Sequence, residues 1–204
     1  MSWPVTLTAD GVTLRPLRLR DRGAWHEVRA RNRDWLVPWE ATMPREAHAL
    51  GERLPTFATM VRRLQSEARA GHCLPWAIEV SGQLAGQLTV GGITLGSARS
   101  AHIGYWIDQA FAGRGIMPTA VAMAVDYCLD VRLLHRIEIN IRPENAPSLR
   151  VVAKLGLREE GLRPAFLHID GDWRDHLCFS VISGDFPDGL LTSWRSTPRA
   201  TSFT

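Results

Sequence analysis

The chain has little cysteine. Its 204 residues include three, Cys73, Cys128 and Cys178, none at the close spacing of a metal knuckle. An odd count leaves no complete disulfide framework, so they read as reduced core or surface thiols, and no metal site is expected. No run approaches the ~20 apolar residues that cross a bilayer. No basic segment followed by an apolar stretch marks a signal peptide, so the expected location is the cytoplasm. Lysine is nearly absent too: Lys154 is the only one, and arginine carries the basic side of the composition. The formal net charge of +3 is too mild to argue for nucleic acid. A polyphosphate ligand or an acidic partner accounts for it equally well.

What is present is an ordinary globular composition. Hydrophobic residues at 45% and charged residues at 22% describe a chain able to bury a core without staples. One domain is expected over residues 1–186. Residues 187–204, rich in Ser, Thr, Pro and Arg, read as a loose tail.

Periodicity predicts a mixed α/β order. Val12 to Leu19 suits a first strand. Asp21 is placed to cap a helix carrying Trp25 and Val28, which breaks at Pro38. Phe57, Met60, Val61, Leu64 and Ala68 fall at helical spacing between Pro55 and Gly71. Ser81-Gly82 joins two strands as a hairpin, and Ala101 to Ile107 forms the next strand. A helix begins near Pro118, with Val121, Val125 and Cys128 inward. Ile137, Ile139 and Ile141 share one face of a strand. A short helix runs from Pro147 to Leu155, and a final hairpin turns at Asp170-Gly171.

The most informative element is Ala112-Gly113-Arg114-Gly115-Ile116-Met117, between a strand and a helix. Two glycines allow a tight turn with close backbone approach. The free N–H groups and dipole of the following helix favour an anion, and Arg114 adds a cation. A plain strand-to-helix turn would use glycines in the same way. The loop is not a Walker loop, because no Gly-Lys-Ser/Thr follows, and it lacks the third glycine of a dinucleotide fingerprint.

This loop resembles the acetyl-CoA motif of the GNAT superfamily of N-acetyltransferases, Gln/Arg-x-x-Gly-x-Gly/Ala. Gly115 is the key glycine, with Ala112 and Met117 departing from the pattern. A second block, Asn145-Ala146-Pro147-Ser148 followed by Lys154-Leu155-Gly156-Leu157, is similar to the same family's Asn-x-x-Ser…Lys-x-Gly-Phe. Arg31 to Glu40, Gly104 to Ile107, His135 to Ile137 and Ile169 to His176 narrow the resemblance to the RimJ/RimL branch, nearest its ribosomal-protein alanine acetyltransferases.

The resemblance implies the GNAT fold, with a mixed, largely antiparallel central sheet and flanking helices. It implies acetyl-CoA as co-substrate, bound by Ile107, Ala112, Gly113, Arg114, Gly115, Ile116, Met117, Asn145 and Ser148. It implies transfer to a protein or peptide N-terminus, such as that of a ribosomal protein, in a monomer or homodimer, with no direct nucleic acid or membrane partner. The backbone N–H of Ile107 would polarise the thioester carbonyl. Many family members protonate the CoA sulfur with a Tyr where this chain has Val152, so Ser148 takes that role, as in the RimL type. The base is open among His102, Glu40 and Glu138, because the RimL-type Glu is replaced by Leu167. Trp35, Trp39 and Trp173 are candidates for a peptide groove. Two alternatives stand beside this reading: an acetyltransferase for a small amine, and a non-catalytic acyl-CoA-binding sensor on the same fold.

Overall fold

The computed structural model describes residues 3–197. The chain opens with a hairpin of β1 (Leu7–Ala9) and β2 (Val12–Pro16). α1 (Arg22–Arg31), the single turns α2 (Arg33–Leu36) and α3 (Arg45–Ala49), and α4 (Phe57–Arg69) follow. Three strands come next: β3 (Leu74–Val80), β4 (Gln83–Thr94) and β5 (Ser100–Ile107). The second half runs α5 (Ile116–Asp126), β6 (Arg136–Ile141), α6 (Ala146–Lys154), β7 (Arg158–Ile169), β8 (Asp172–Ile182) and α7 (Leu190–Ser196). The eight strands form one sheet in the order β1-β2-β3-β4-β5-β6-β8-β7. Every neighbouring pair is antiparallel except β5–β6. This is the mixed, largely antiparallel architecture expected.

Apolar burial explains why the sheet is covered on both faces. α5 is buried along nearly its whole length, Ile116 through Val125. A helix apolar all round needs partners all round. It packs on the face bearing Leu14, Trp76, Leu88, Ile103, Ile137 and Ile139. Each such side chain, fully buried, contributes about 1.5–3 kcal/mol. A smaller cluster of Leu17, Phe57, Val61, Ala77 and Leu84 seats α4. The Thr56 hydroxyl caps α4 by accepting the Thr59 N–H at 3.3 Å.

Two local expectations are corrected. Asp21 does not cap α1 through its side chain. Its carboxylate accepts two bonds from Arg15, at 2.9 and 3.0 Å, and the Arg18 N–H at 2.8 Å, tying β2 to the start of α1. The expected tail from residue 187 instead contains α7. Leu190 and Trp194 are buried, and the Asp126 carboxylate accepts the N–H groups of Leu190 and Leu191 at 2.7 and 3.0 Å. Two apolar residues four apart overrode a polar composition. Residues 198–204 lie outside the described residues. All three cysteines are buried and free. No helix among the described residues is long and apolar enough to cross a membrane.

The parallel pair positions the site. β5 and β6 pair only at Ser100↔Arg136, Ala101↔Ile137 and His102↔Glu138. Beyond that, β4 keeps β5 as far as Ile107 and β8 keeps β6 as far as Ile141. The two halves of the sheet therefore part from Ile103 onward and leave a V-shaped opening.

Candidate active site

The edge of β5 that faces this opening carries unpaired backbone. N–H groups alternate between the two edges of a strand. Asp108 donates its N–H to the Ala85 carbonyl on the β4 side at 2.8 Å. The N–H and carbonyl of Ile107 thus point into the V, where the carbonyl accepts Trp35 Nε1 at 3.0 Å. The end of the strand is pinned by Asp108, which is 1% exposed. Its carboxylate receives Arg31, Asn32 Nδ2 at 2.8 Å and the Ala110 N–H at 3.1 Å. Desolvation works to raise its pKa, but these bonds outweigh it and hold the carboxyl below its usual range.

The glycine loop follows at once. Gly113 and Gly115 have φ of 76° and 78°, a region other residues rarely enter. Gly115 is the N-cap of α5 and offers no side-chain cap. The N–H groups of Ile116 and Met117 are left without intrahelical acceptors. Ala112, Gly113, Gly115, Ile116 and Met117, with Ile107, line a cavity of about 580 Å³.

Arg114 lines neither cavity of the site. Its guanidinium lies over the Phe111 ring, 5.5 Å from the centroid. The cations that do line the larger cavity include Arg150 and Lys154 on α6, which sequence reasoning missed as ligand groups. Their i,i+4 spacing after Ser148 was the available signal. Trp194 of α7 braces the loop from behind, donating Nε1 to the Thr119 hydroxyl at 3.0 Å.

Ser148 lies in the first turn of α6. Asn145 caps that turn, its Oδ1 accepting the Ser148 N–H at 3.1 Å. The Ser148 hydroxyl lies 2.7 Å from the hydroxyl of Tyr105 on β5. Val152, where a family tyrosine would stand, is in the core. A phenol is nevertheless present, supplied by a strand instead of the helix. Burial pushes the Tyr105 pKa well above its ordinary range, against a smaller opposing effect of the bond to Ser148, so the phenol stays neutral. Period-2 alternation from Ile107 already put residue 105 on the Ser148 side, but the sequence reading did not use it.

A second cavity of about 230 Å³ adjoins the first. Trp39, Tyr105, Asn145 and Ser148 line both. Register shows how the two meet. Ile103, Tyr105 and Ile139 share the sheet face covered by α5, while Gly104 and Asn140 point to the opposite face. The smaller cavity takes lining from both faces, so it passes through the V. Trp35 and Trp39 line the larger cavity, but Trp173 is 53% exposed and lines neither.

The base candidates separate clearly. His102 lies against Gly91 and Gly92, outside both cavities; a Cβ on Gly92 would come within 2.8 Å of its ring. Glu138 also lines neither, and receives Arg136 and Arg163, each at 2.8 Å. Glu40 does line the larger cavity, but Arg29 holds its carboxylate at 2.6 Å. That pairing favours its ionised form and so weakens it as a base. Asp175 accepts the Ala165 N–H at 2.8 Å and so fixes the bulge in β7. His176 lines the smaller cavity. Losing a true base costs about 10²–10⁴-fold in turnover, whereas His102→Gln is expected to change kcat by no more than about twofold. Steady-state rates across pH check this, and a large loss would return His102 to the reaction.

An unpaired strand edge, an uncapped helix N-terminus behind two glycines, and a hydroxyl pair between them give the larger cavity backbone donors suited to an anionic ligand. Comparison with known proteins gives the class. Residues 12–158 match the acetyltransferase (GNAT) domain family, and the chain belongs to that family. It is an acetyl-CoA-dependent N-acetyltransferase of RimJ-like type. It is 29% identical over 187 residues to the [ribosomal protein uS5]-alanine N-acetyltransferase of Escherichia coli (strain K12), covering 91% of this chain and 94% of that protein. The solved structure of Mycobacterium smegmatis RimJ in complex with CoA-disulfide has a TM-score of 0.80 and 42% identity, over 89% of this chain and 86% of that one. The ribosomal-protein-S5-alanine acetyltransferase of Vibrio fischeri has a TM-score of 0.75 and 27% identity, over 89% and 98%.

Proposed function

We propose that this enzyme moves the acetyl group of acetyl-CoA to the α-amine of a protein N-terminus, of the ribosomal-protein alanine type, by direct attack in a ternary complex. The observation that carries this reading is the meeting of two cavities at Tyr105–Ser148, one reaching the glycine loop and the other reaching β6 and β8. The larger accommodates the donor, with the diphosphate at the amides of residues 113–117 and Arg150 and Lys154 alongside. The smaller admits the amine. Gly104 leaves it open, since a Cβ there would meet nothing within 4 Å. Its apolar wall includes Ile139, Ile141, Leu167 and Ile169, which suits a small first residue better than a polycation. The names of the relatives support a ribosomal-protein acceptor.

The chemistry follows from these positions. An α-amine has a pKa near ~8, so a fraction arrives neutral at cell pH. The Ile107 N–H stabilises charge on the thioester oxygen, and the Ser148 hydroxyl meets the departing sulfur. The test is CoA release with an Ala-starting peptide, followed by mass spectrometry to locate the acetylated nitrogen. Acetylation of a lysine or of small amines alone would sink the reading, as would binding without turnover.

A Gly104→Val variant separates the two cavities. It fills the acceptor side and leaves the glycine loop untouched. Peptide KM is expected to rise about tenfold or more, the equivalent of about 1.4 kcal/mol, while acetyl-CoA affinity is unchanged. An unaltered peptide KM would place the acceptor elsewhere.

A further inference from the structure

Among the described residues, the base remains to be found within the acceptor cavity itself. Leu167 offers no proton acceptor. The titratable groups that line this cavity are Tyr105, Arg142 and His176; a neutral phenol and a guanidinium are poor bases, which leaves His176, on β8. It is 4% exposed. It lies two residues from Cys178, the register partner of Asn140, so its side chain shares the sheet face of Asn140 and Gly104. That face is opposite the one from which Ser148 approaches.

The protonation of the ring follows from one hydrogen bond. His176 Nδ1 lies 3.0 Å from the Arg174 carbonyl oxygen. A carbonyl only accepts, so Nδ1 carries the proton and the neutral ring has its lone pair on Nε2. No group among the described residues bonds Nε2. The Phe166 ring meets the imidazole edge-on, 5.8 Å between centroids, and fixes its plane. Asn140 beside it has an amide oxygen buried without a partner, an acceptor waiting for an N–H.

We propose that His176 Nε2 receives the proton from the attacking amine, with Asn140 Oδ1 orienting the nitrogen. The assignment rests on the acceptor reading above. The amine nitrogen bonds to the thioester carbon and one of its protons passes to Nε2, forming an imidazolium. The C–S bond breaks, and sulfur leaves as the thiol with a proton from Ser148. The imidazolium gives its proton to solvent and solvent returns one to Ser148, while the Tyr105 phenol keeps its own proton throughout. The net change is amine plus thioester to amide plus thiol.

The surroundings keep the ring neutral at the start. Desolvation lowers its pKa below the ordinary 6.5, and Arg142 adds to the fall; the Arg174 carbonyl, Glu144 and Asp175 oppose. Arg163 of β7 is its cross-strand neighbour. A base of this kind must be unprotonated, so the acid limb of kcat lies below pH 6.5.

His176→Asn is the decisive variant. Its amide N–H can keep the bond to the Arg174 carbonyl, but it has no nitrogen lone pair at the Nε2 position. On whichever amine the wild type acetylates, kcat is expected to fall about 10²-fold or more, with unchanged acetyl-CoA affinity and no acid limb. Added imidazole should restore part of the rate. Retention of kcat within about threefold, well short of that loss, would overturn the proposal, as would an unshifted acid limb. If the variant misfolds, ¹⁵N-imidazole NMR of the wild type decides. A His176 midpoint matching the acid limb supports the role, and a mismatch removes it. Failure of the acceptor reading would appear separately, as a wild type inactive on peptides.

Discussion

Gly115→Val is expected to weaken acetyl-CoA binding by about 10²-fold or more, because it forces a β-branched residue into a left-handed backbone costing about 1–3 kcal/mol and displaces neighbouring amides as well. Gly115 sits at φ 78° as the N-cap of α5, and its amide neighbours are the proposed diphosphate ligands. A bare Cβ there would lie 3.5 Å from Trp194 Cζ2, an ordinary contact. The two methyls of valine have no such room. The loop must either rotate away from its φ or push Trp194 off Thr119. Isothermal titration with acetyl-CoA measures the loss, and Gly115→Ala should fall between, having the strain but little of the clash. An affinity for Gly115→Val equal to that of the wild type would show that the cradle is not where the diphosphate sits.

Ser148→Ala is expected to separate binding from turnover in the opposite sense. Deleting a donor aimed at charge that develops in the transition state costs about 10²–10³ in kcat, while acetyl-CoA should bind as before. The substitution also leaves the Tyr105 hydroxyl buried without its partner, which costs about 1–3 kcal/mol of stability. A lowered melting temperature should therefore accompany the kinetic loss without explaining it at assay temperature. Tyr105→Phe keeps the serine and is the milder lesion, since Ser148 can still reach the sulfur. Full activity in Ser148→Ala would transfer the sulfur's proton donor to Tyr105, and the order of severity of the two variants decides between them.

The parts of the site built from local backbone were legible in the sequence. The glycine loop, the Asn145 cap and the strand ending at Ile107 are set by residues within a few positions of one another, and short-range rules reach them. Tyr105 and His176 were not legible as site groups, because their roles depend on long-range register. Tyr105 meets Ser148 across 43 positions, and His176 reaches the V only through β8 pairing with β6. Arg114 shows the limit of such rules for a side chain. Its place in the loop suggested a ligand cation, and its guanidinium lies over the Phe111 ring outside both cavities. The single turns α2 and α3 lacked enough residues to show a period. α7 was hidden by a polar composition, although Leu190 and Trp194 were already at helical spacing.

The V also bears on how the molecule moves. Three residue pairs are the whole strand-to-strand seam between β5 and β6, and the amides of Ile103, Tyr105 and Ile107 lie on that edge. Ile103 is the last of them that the His102↔Glu138 pairing still reaches, so without ligand the amides of Tyr105 and Ile107 should be among the fastest-exchanging of the central sheet. A bound acetyl-CoA would occupy the position of the missing strand and slow their hydrogen exchange. It would also tie the five strands on one side to the three on the other, adding to the shared core under α5 that already joins the two half-sheets and raising the stability of the whole when the donor is bound.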